Sequence, residues 1–172
     1  MRMRMRWLVV SGVLWASSAV AGERGFQFRA AIDTGIAAQA RLSSCTDSCN
    51  GSFGSLETGP MAAFAITPGW RFGLVSLHGG AELQGTLFLT GHAVRLGPLL
   101  GIAFHIERWL VLSLDAKLLF PLLGDPGGAL GGNLRWGFEL SRDGAHQLTA
   151  SLGAYRVYGV MFTTSIGYVL TL

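Results

Sequence analysis

The sequence predicts an all-β chain that folds as an eight-stranded, antiparallel up-and-down transmembrane β-barrel behind a cleavable export signal. Three observations lead to this fold class. Apolar and polar residues alternate with a period of two along eight segments. Half of the chain is hydrophobic while only 13% is charged, against ~25% in typical soluble domains. Beyond residues 1–21, no apolar run reaches the ~18 residues expected of a membrane-spanning helix.

Residues 1–21 have the layout of a secretory signal peptide. A positively charged MRMRMR start precedes an apolar core, Trp7–Trp15, and the small residues of Ala19–Ala21 form a cleavage site. The core is shorter than the ~20 residues that span a bilayer, which argues against a membrane anchor. We therefore expect the barrel domain to cover residues 22–172.

Loss of this segment also removes the apparent basic character of the chain. The formal net charge of +3 includes three arginines in residues 1–21, so the remainder carries ten basic and ten acidic residues. A region without net charge gives no reason to expect a nucleic-acid partner.

The first strand is predicted where Phe26 and every second residue up to Leu42 are apolar or small, with residues such as Arg29 and Asp33 between them. Successive side chains of a strand point to opposite faces, so this pattern separates two faces of a strand and not of a helix. Seven further segments repeat it. Each has roughly the ten residues that a tilted strand needs to cross a bilayer. The eight predicted segments are 26–42, 64–72, 77–89, 94–106, 110–120, 130–140, 147–155 and 160–172.

The predicted connections alternate in length. Tight turns follow the second, fourth and sixth segments, at Gly73-Leu74, Glu107-Arg108 and Arg142–Gly144. Longer loops, Ser43–Gly59 and Pro121–Gly128, follow the first and fifth segments, whereas the connections after the third and seventh, near Gly91-His92 and Arg156–Gly159, are short, so the asymmetry is partial. Short turns on one side and longer loops on the other are typical of outer-membrane barrels.

Two prolines fall inside predicted strands. Pro98, and in the same way Pro68, has no N–H to donate to a strand ladder, and a closed barrel has no free edge on which to place it. We therefore expect a bulge or a local break at these positions.

Alternation alone also fits a soluble, lipocalin-like barrel with an apolar interior. The apolar set contains the bulky Leu, Ile, Phe and Trp residues, which need the wide outer circumference, while the polar set is poor in Lys and Glu and rich in small residues. The apolar face is therefore predicted to point outward, to lipid. Seven aromatic residues near strand ends are expected to form a girdle at one interface: Phe26, Phe28, Trp70, Phe72, Trp109, Phe138 and Tyr168.

The mature region resembles the small outer-membrane β-barrels of the OmpA and OmpX type. The last segment resembles the C-terminal signal of that class, with Ser165, Gly167, Leu170 and Leu172 at its polar, glycine, apolar and aromatic positions. Leu172 departs from it, since an aromatic residue usually stands there. The resemblance implies a bacterial outer-membrane location, with membrane lipid and the outer-membrane assembly machinery as partners.

The polar face places charges of both signs inside the barrel, and buried charges must be paired. The simplest interpretation is a structural plug, because eight strands leave room for little besides side chains. A narrow proton or ion path remains the alternative, and a metal site at His78, Glu82 and His105 is a weaker one. No cofactor or metal is expected. The predicted lumen network is Arg29, Asp33, Arg71, His78, Glu82, Arg95, His105, Asp115, Lys117, Arg135 and Glu139.

The sequence indicates the function of the chain less clearly than its fold. Cys45 and Cys49 are expected to form a disulfide in the external loop 43–59. This loop could bind an unknown extracellular ligand. A metal site at the two cysteines would need two further ligands. Lipid-facing positions carry almost no Ser, His, Asp or Glu, so no catalytic residue is expected. The leading hypothesis is a structural or surface-exposed barrel without enzymatic activity; a pore or a loop-mediated adhesion contact is the alternative.

Overall fold

The computed structural model describes residues 24–42, 53–107, 109–124, 126–157 and 159–172. The predicted signal peptide and the Cys45–Cys49 pair lie outside these ranges. No helix in the described ranges is long and apolar enough to cross a membrane.

Eight strands form a closed barrel in which each strand pairs antiparallel with the next and the eighth pairs with the first. This arrangement confirms the predicted all-β, up-and-down topology. The strands are β1 (Arg24–Leu42), β2 (Phe53–Phe72), β3 (Val75–Phe88), β4 (Gly91–Glu107), β5 (Leu110–Gly124), β6 (Ala129–Glu139), β7 (His146–Arg156) and β8 (Gly159–Thr171).

The strands are strongly tilted against the barrel axis. A walk from Gln27 through paired residues once around the barrel returns to β1 at Ala37, ten residues further along. An offset of ten residues, ~33 Å, around eight strands that are ~4.8 Å apart corresponds to a tilt of about 40°. The walk passes Gly69, His78, Gly101, Asp115, Asn133, Gly153 and Thr163.

β2 and β5 extend into the predicted long loops. The segment before Gly59 was expected to be loop, yet β2 already begins at Phe53. The expected loop after Pro121 is also shorter, because β5 continues to Gly124. In both places the ladder with the preceding strand continues, as between Ala37 and Gly59, so backbone pairing overrides the turn preference of Gly and Pro.

The prolines interrupt the ladder without changing its register. Pairing between β4 and β5 stops after Leu96↔Phe120 and resumes at Leu99↔Lys117, on either side of Pro98. The β2–β3 ladder has the same gap around Pro68, between Ile66↔Ala81 and Gly69↔His78. The expected local break is thus confirmed, since proline lacks the N–H that would fill the ladder position.

The apolar set faces outward on every strand, as predicted. Examples are Ile32 on β1, Leu100 on β4 and Ile166 on β8, which are 54%, 70% and 71% exposed. Six of the seven predicted girdle residues are exposed and Tyr168 is partly buried, and Trp109 stacks on Phe138. These seven aromatic side chains lie toward the end of the barrel that carries the tight turns.

The interior of the barrel contains apolar as well as polar side chains. Toward the opposite end, which we call the loop end, inward positions carry a packed apolar cluster whose largest members are Phe88, Leu119, Tyr155 and Met161. A smaller cluster around Leu99 and Val169 lies among the polar side chains. In this loop-end half, apolar packing fills the narrow interior.

Candidate functional site in the barrel lumen

Inward positions of six strands, β1 to β6, bring the predicted charged side chains into one interior. Odd-numbered residues of β1 and β5 and even-numbered residues of β3 point inward, because strand side chains alternate. Arg71, Arg135 and Glu139 are partly buried. The other eight predicted residues are buried: Arg29, Asp33, His78, Glu82, Arg95, His105, Asp115 and Lys117.

Asp33 and Arg135 form a direct ion pair. Arg135 Nη2 donates to Asp33 Oδ2 over 2.6 Å. The second oxygen of Asp33 accepts a longer hydrogen bond from Thr149 Oγ1, at 3.4 Å. A buried carboxylate needs this full set of donors, because an unpaired one is costly to remove from water.

Glu82 and Lys117 form the most buried pair. Lys117 Nζ donates to Glu82 Oε2 over 2.6 Å, with side chains that are 3% and 1% exposed. The ammonium also lies 6.0 Å from the ring centroid of Tyr155, which belongs to the apolar cluster. This pair therefore marks the border between the polar and apolar halves of the lumen.

His78 and Asp115 meet across a glycine. His78 Nε2 lies 2.8 Å from Asp115 Oδ1, although the two residues stand on β3 and β5 with Gly101 of β4 between them. A Cβ at Gly101 would come within 2.3 Å of both bonded atoms. The absence of a side chain there is what lets the imidazole and the carboxylate meet.

His105 and Glu139 lie near the tight-turn end. His105 Nε2 forms a 2.9 Å hydrogen bond with Ser76 Oγ, and its Nδ1 lies 3.7 Å from Glu139 Oε1. The suggested metal site is not assembled, because His78, Glu82 and His105 each have another partner. Within the described residues, no three His, Cys, Asp or Glu side chains come together as metal ligands.

The remaining arginines donate hydrogen bonds to neutral oxygens of described residues. Arg95, which is fully buried, donates through Nε to the carbonyl of Gly127 at 3.0 Å. Arg71 Nε donates to the carbonyl of Gly73, at 2.9 Å, in the β2–β3 turn. Arg29 Nη2 has only a 3.5 Å hydrogen bond to Gln147 Oε1. Among the described residues, Arg71 and Arg29 thus have neutral acceptors, while Arg135 and Lys117 have carboxylates.

Sequence reasoning missed the apolar half of the site. Leu119 and Met161 are completely buried, yet each stands in an apolar run, LLFPLL or VMF, in which both strand faces are apolar. Alternation carries no information in such runs. The available signal was the odd residue number, because both residues fall on the odd-numbered positions that face inward on their strands.

The residues of the expected assembly signal lie along β8. Ser165 is inward and bonds Ser151 across the β7–β8 ladder at 2.6 Å. Gly167 leaves room for Asp33, whose Oδ1 would be 2.1 Å from an added Cβ. Leu170 is in the ladder with Ala30, and Leu172 exchanges two backbone hydrogen bonds with Phe28, of 2.7 and 3.0 Å.

Comparison with known proteins reveals similarity in fold. No protein-family model matches the chain, and no curated protein matches it. Among solved structures it is similar to Neisserial surface protein A, with 14% identity, a TM-score of 0.54, and coverage of 85% of this chain and 96% of that one. It is also similar to Ail, the attachment invasion locus protein of Yersinia pestis, with 12% identity, a TM-score of 0.46, and coverage of 84% and 98%. The first likeness confirms the predicted fold, that of the small eight-stranded outer-membrane barrels.

Proposed function

We propose that this chain is a bacterial outer-membrane protein that acts as a closed barrel, without catalysis, and presents its loop end to the outside of the cell. The observation that carries the proposal is the inverted arrangement of the barrel: large apolar side chains outside, charged side chains inside. A soluble barrel would place the same two faces the other way round.

The outward face supports a lipid environment. Leu77, Leu114 and Leu148, on three different strands, are each about half exposed, and no strand lacks such residues. Soluble monomers rarely expose apolar patches beyond a few hundred Å². The aromatic side chains of the tight-turn end match the interfacial girdle of membrane barrels, so that end would face the periplasm.

The interior supports a closed lumen. Asp33–Arg135 and Glu82–Lys117 cross the barrel in the polar half, and Phe88, Leu119 and Met161 fill the loop-end half. Two barriers of different chemistry follow each other along the axis. A hydrated ion would have to break the ion pairs and then enter an apolar constriction.

The alternative is a narrow ion path, favoured by one observation. Two small cavities, of about 10 and 20 Å³, lie in the polar half, and Arg29 lines both. A single water molecule needs about 10–15 Å³, so each cavity accommodates little more than one. A path would require re-pairing of the charges between these cavities.

The loops would carry any contact with the surroundings. The connection between β1 and β2, residues 43–52 with Cys45 and Cys49, is the longest between two strands, and a disulfide there would stiffen a ligand-binding or adhesive surface. This function implies two further partners, membrane lipid and the outer-membrane assembly machinery. The machinery would bind the β8 signal at Ser165, Gly167, Leu170 and Leu172.

The location is tested by cell fractionation and by gel migration with and without heating. We expect the protein in the outer-membrane fraction and a compact, faster band before boiling. Recovery from the periplasm without detergent would overturn the membrane assignment.

Closure is tested separately, by single-channel recording in planar bilayers. We expect no reproducible conductance. A conductance that changes in Arg95→Ala or Glu82→Ala would establish the ion path instead, and unchanged lipid A mass spectra on overexpression would support the absence of lipid-modifying catalysis.

A further inference from the structure

The tight-turn end of the lumen contains a small cavity with an excess of hydrogen-bond donors. Its volume is about 20 Å³, and side chains of β1, β2, β4, β6, β7 and β8 surround it together with the β6–β7 turn. We call it the vestibule. The lining residues that matter here are Gln27, Arg29, Arg71, Glu139 and Asp143.

Arg29 forms the inner wall of the vestibule and has no ionic partner among the described residues. It is 7% exposed, and in the described part of the chain its one side-chain hydrogen bond is the 3.5 Å contact to Gln147. No carboxylate of the residues that the structure describes lies within ion-pair distance of it, whereas Arg135 and Lys117 each have one. A guanidinium has five N–H donors, and burying its charge without a counterion is costly.

Two neighbours add further donors. Arg71 commits Nε to the carbonyl of Gly73, and its terminal nitrogens have no acceptor among the described residues. Gln27 is 9% exposed and also makes no side-chain hydrogen bond to any described residue. Three side chains with N–H groups thus border one small space, Arg29 from within and the other two from nearer the barrel end.

The two carboxylates of the vestibule already have partners. Glu139 Oε1 accepts a hydrogen bond from Gln147 Nε2 at 3.5 Å and lies 3.7 Å from His105 Nδ1. Asp143 accepts the backbone N–H of Ala145 at 3.1 Å, and hydrogen bonds from Ser141 and Ala145 lower the pKa of its carboxyl. Neither carboxylate is bonded to Arg29 or Arg71.

We propose that the vestibule is a binding site for one small inorganic anion of chloride size, held by Arg29, Arg71 and Gln27. The anion would enter from the tight-turn end, because the β6–β7 turn borders the cavity while the apolar cluster fills the opposite half of the barrel. The volume, which suits about one water-sized species, is too small for a tetrahedral oxyanion or an organic acid. The site requires only the barrel interior and does not depend on the proposed outer-membrane function.

Bromide is the probe, because it replaces chloride and has an anomalous X-ray signal. Crystals of the refolded full barrel soaked in sodium bromide should show an anomalous peak within about 3.5 Å of the Arg29 guanidinium. A vestibule that contains only water, with bromide peaks elsewhere or none, would overturn the proposal.

Solution binding supplies the second test, by bromide NMR line broadening of the protein in detergent micelles. Arg29→Gln should weaken bromide binding about tenfold or more, because it removes a charged hydrogen bond. Arg142→Gln, which removes an exposed arginine of the nearby turn, is the matched control and should bind like the wild type. Equal affinity in the two variants, or competition by sulfate, would contradict the site. If Arg29→Gln does not refold, the wild-type diffraction result decides.

Discussion

Arg135 on β6 donates a 2.6 Å hydrogen bond to Asp33 on β1, although these strands are not neighbours in the sheet. The pair spans the width of β7 and β8 above Gly167, which is the ladder partner of Asp33. Glu82 and Lys117 likewise connect β3 with β5 across β4. The interior charges therefore join strands that the backbone ladders do not join.

Removing one partner of the Glu82–Lys117 pair should be strongly destabilising. Lys117→Met leaves the carboxylate of Glu82, which is 1% exposed, without its cation, so we expect a loss of about 3–5 kcal/mol in the free energy of unfolding. The double variant Lys117→Met/Glu82→Leu should lose clearly less, because no charge remains unpaired. Urea unfolding of the barrel in lipid vesicles, followed by tryptophan fluorescence, measures both. Equal losses in the two variants would show that the charge of Glu82 is not the cause.

Gly101→Ala should separate His78 from Asp115. The new methyl group would lie 2.3 Å from both hydrogen-bonding atoms, so the bond must break or the strands must shift. We expect a cost of about 1.5–3 kcal/mol, the value of a hydrogen bond to a charged group. Gly85→Ala is the control, since its nearest neighbour would be 3.9 Å away. A loss at Gly85 as large as that at Gly101 would point to general strand effects.

A charge on the outward face should reveal where the bilayer lies. Leu100, in the middle of β4, and Leu74, in the β2–β3 turn, are both 70% exposed. Leu100→Arg should cost about 2–4 kcal/mol at the bilayer midplane, while Leu74→Arg should cost about 0–1 near the interface. The same unfolding measurement in vesicles compares them. Two equally mild substitutions would favour a barrel surrounded by water.

The apolar cluster of the lumen should behave as a packed core. Leu119 is fully buried and its neighbour Leu118 is 42% exposed on the outer face. Leu119→Ala should cost about 2–5 kcal/mol, because it leaves a cavity that the rigid wall cannot close. Leu118→Ala creates no interior cavity and should cost less in vesicles. The opposite order of losses would mean that the loop-end half of the lumen is not packed.

The strands and their pairing order were readable because alternation continues over whole segments, as from Phe26 to Leu42. Turn positions were readable as well, since Gly73 and Gly144 adopt φ values of 69° and 68°, which favour glycine. The ends of the strands at the loop end could not be predicted, because Gly59 and Pro121 favour turns although their backbones continue a ladder.

The sequence predicted which charged residues face the lumen, but not which of them contact each other. Alternation along the strands places the side chains of Asp33 and Arg135 inside the barrel. Their ion pair, however, depends on the tilt of the strands and on the space above Gly167, which no local sequence pattern encodes. The isolation of Arg29 was hidden for the same reason. A balanced charge count gave no sign that one guanidinium would lack a counterion.

Closure of the barrel joins the two strands that are farthest apart in sequence, since Ala30 pairs with Leu170 and Ala40 with Val160. Contacts of such separation form late in folding, because the entropy of closing the ring is lost before the contact is gained. Until β8 meets β1, both strands present unpaired edges that invite association with other chains. The slow event in folding of this barrel is thus expected to be the β1–β8 seam, and the seam is where a folding helper would have most to protect.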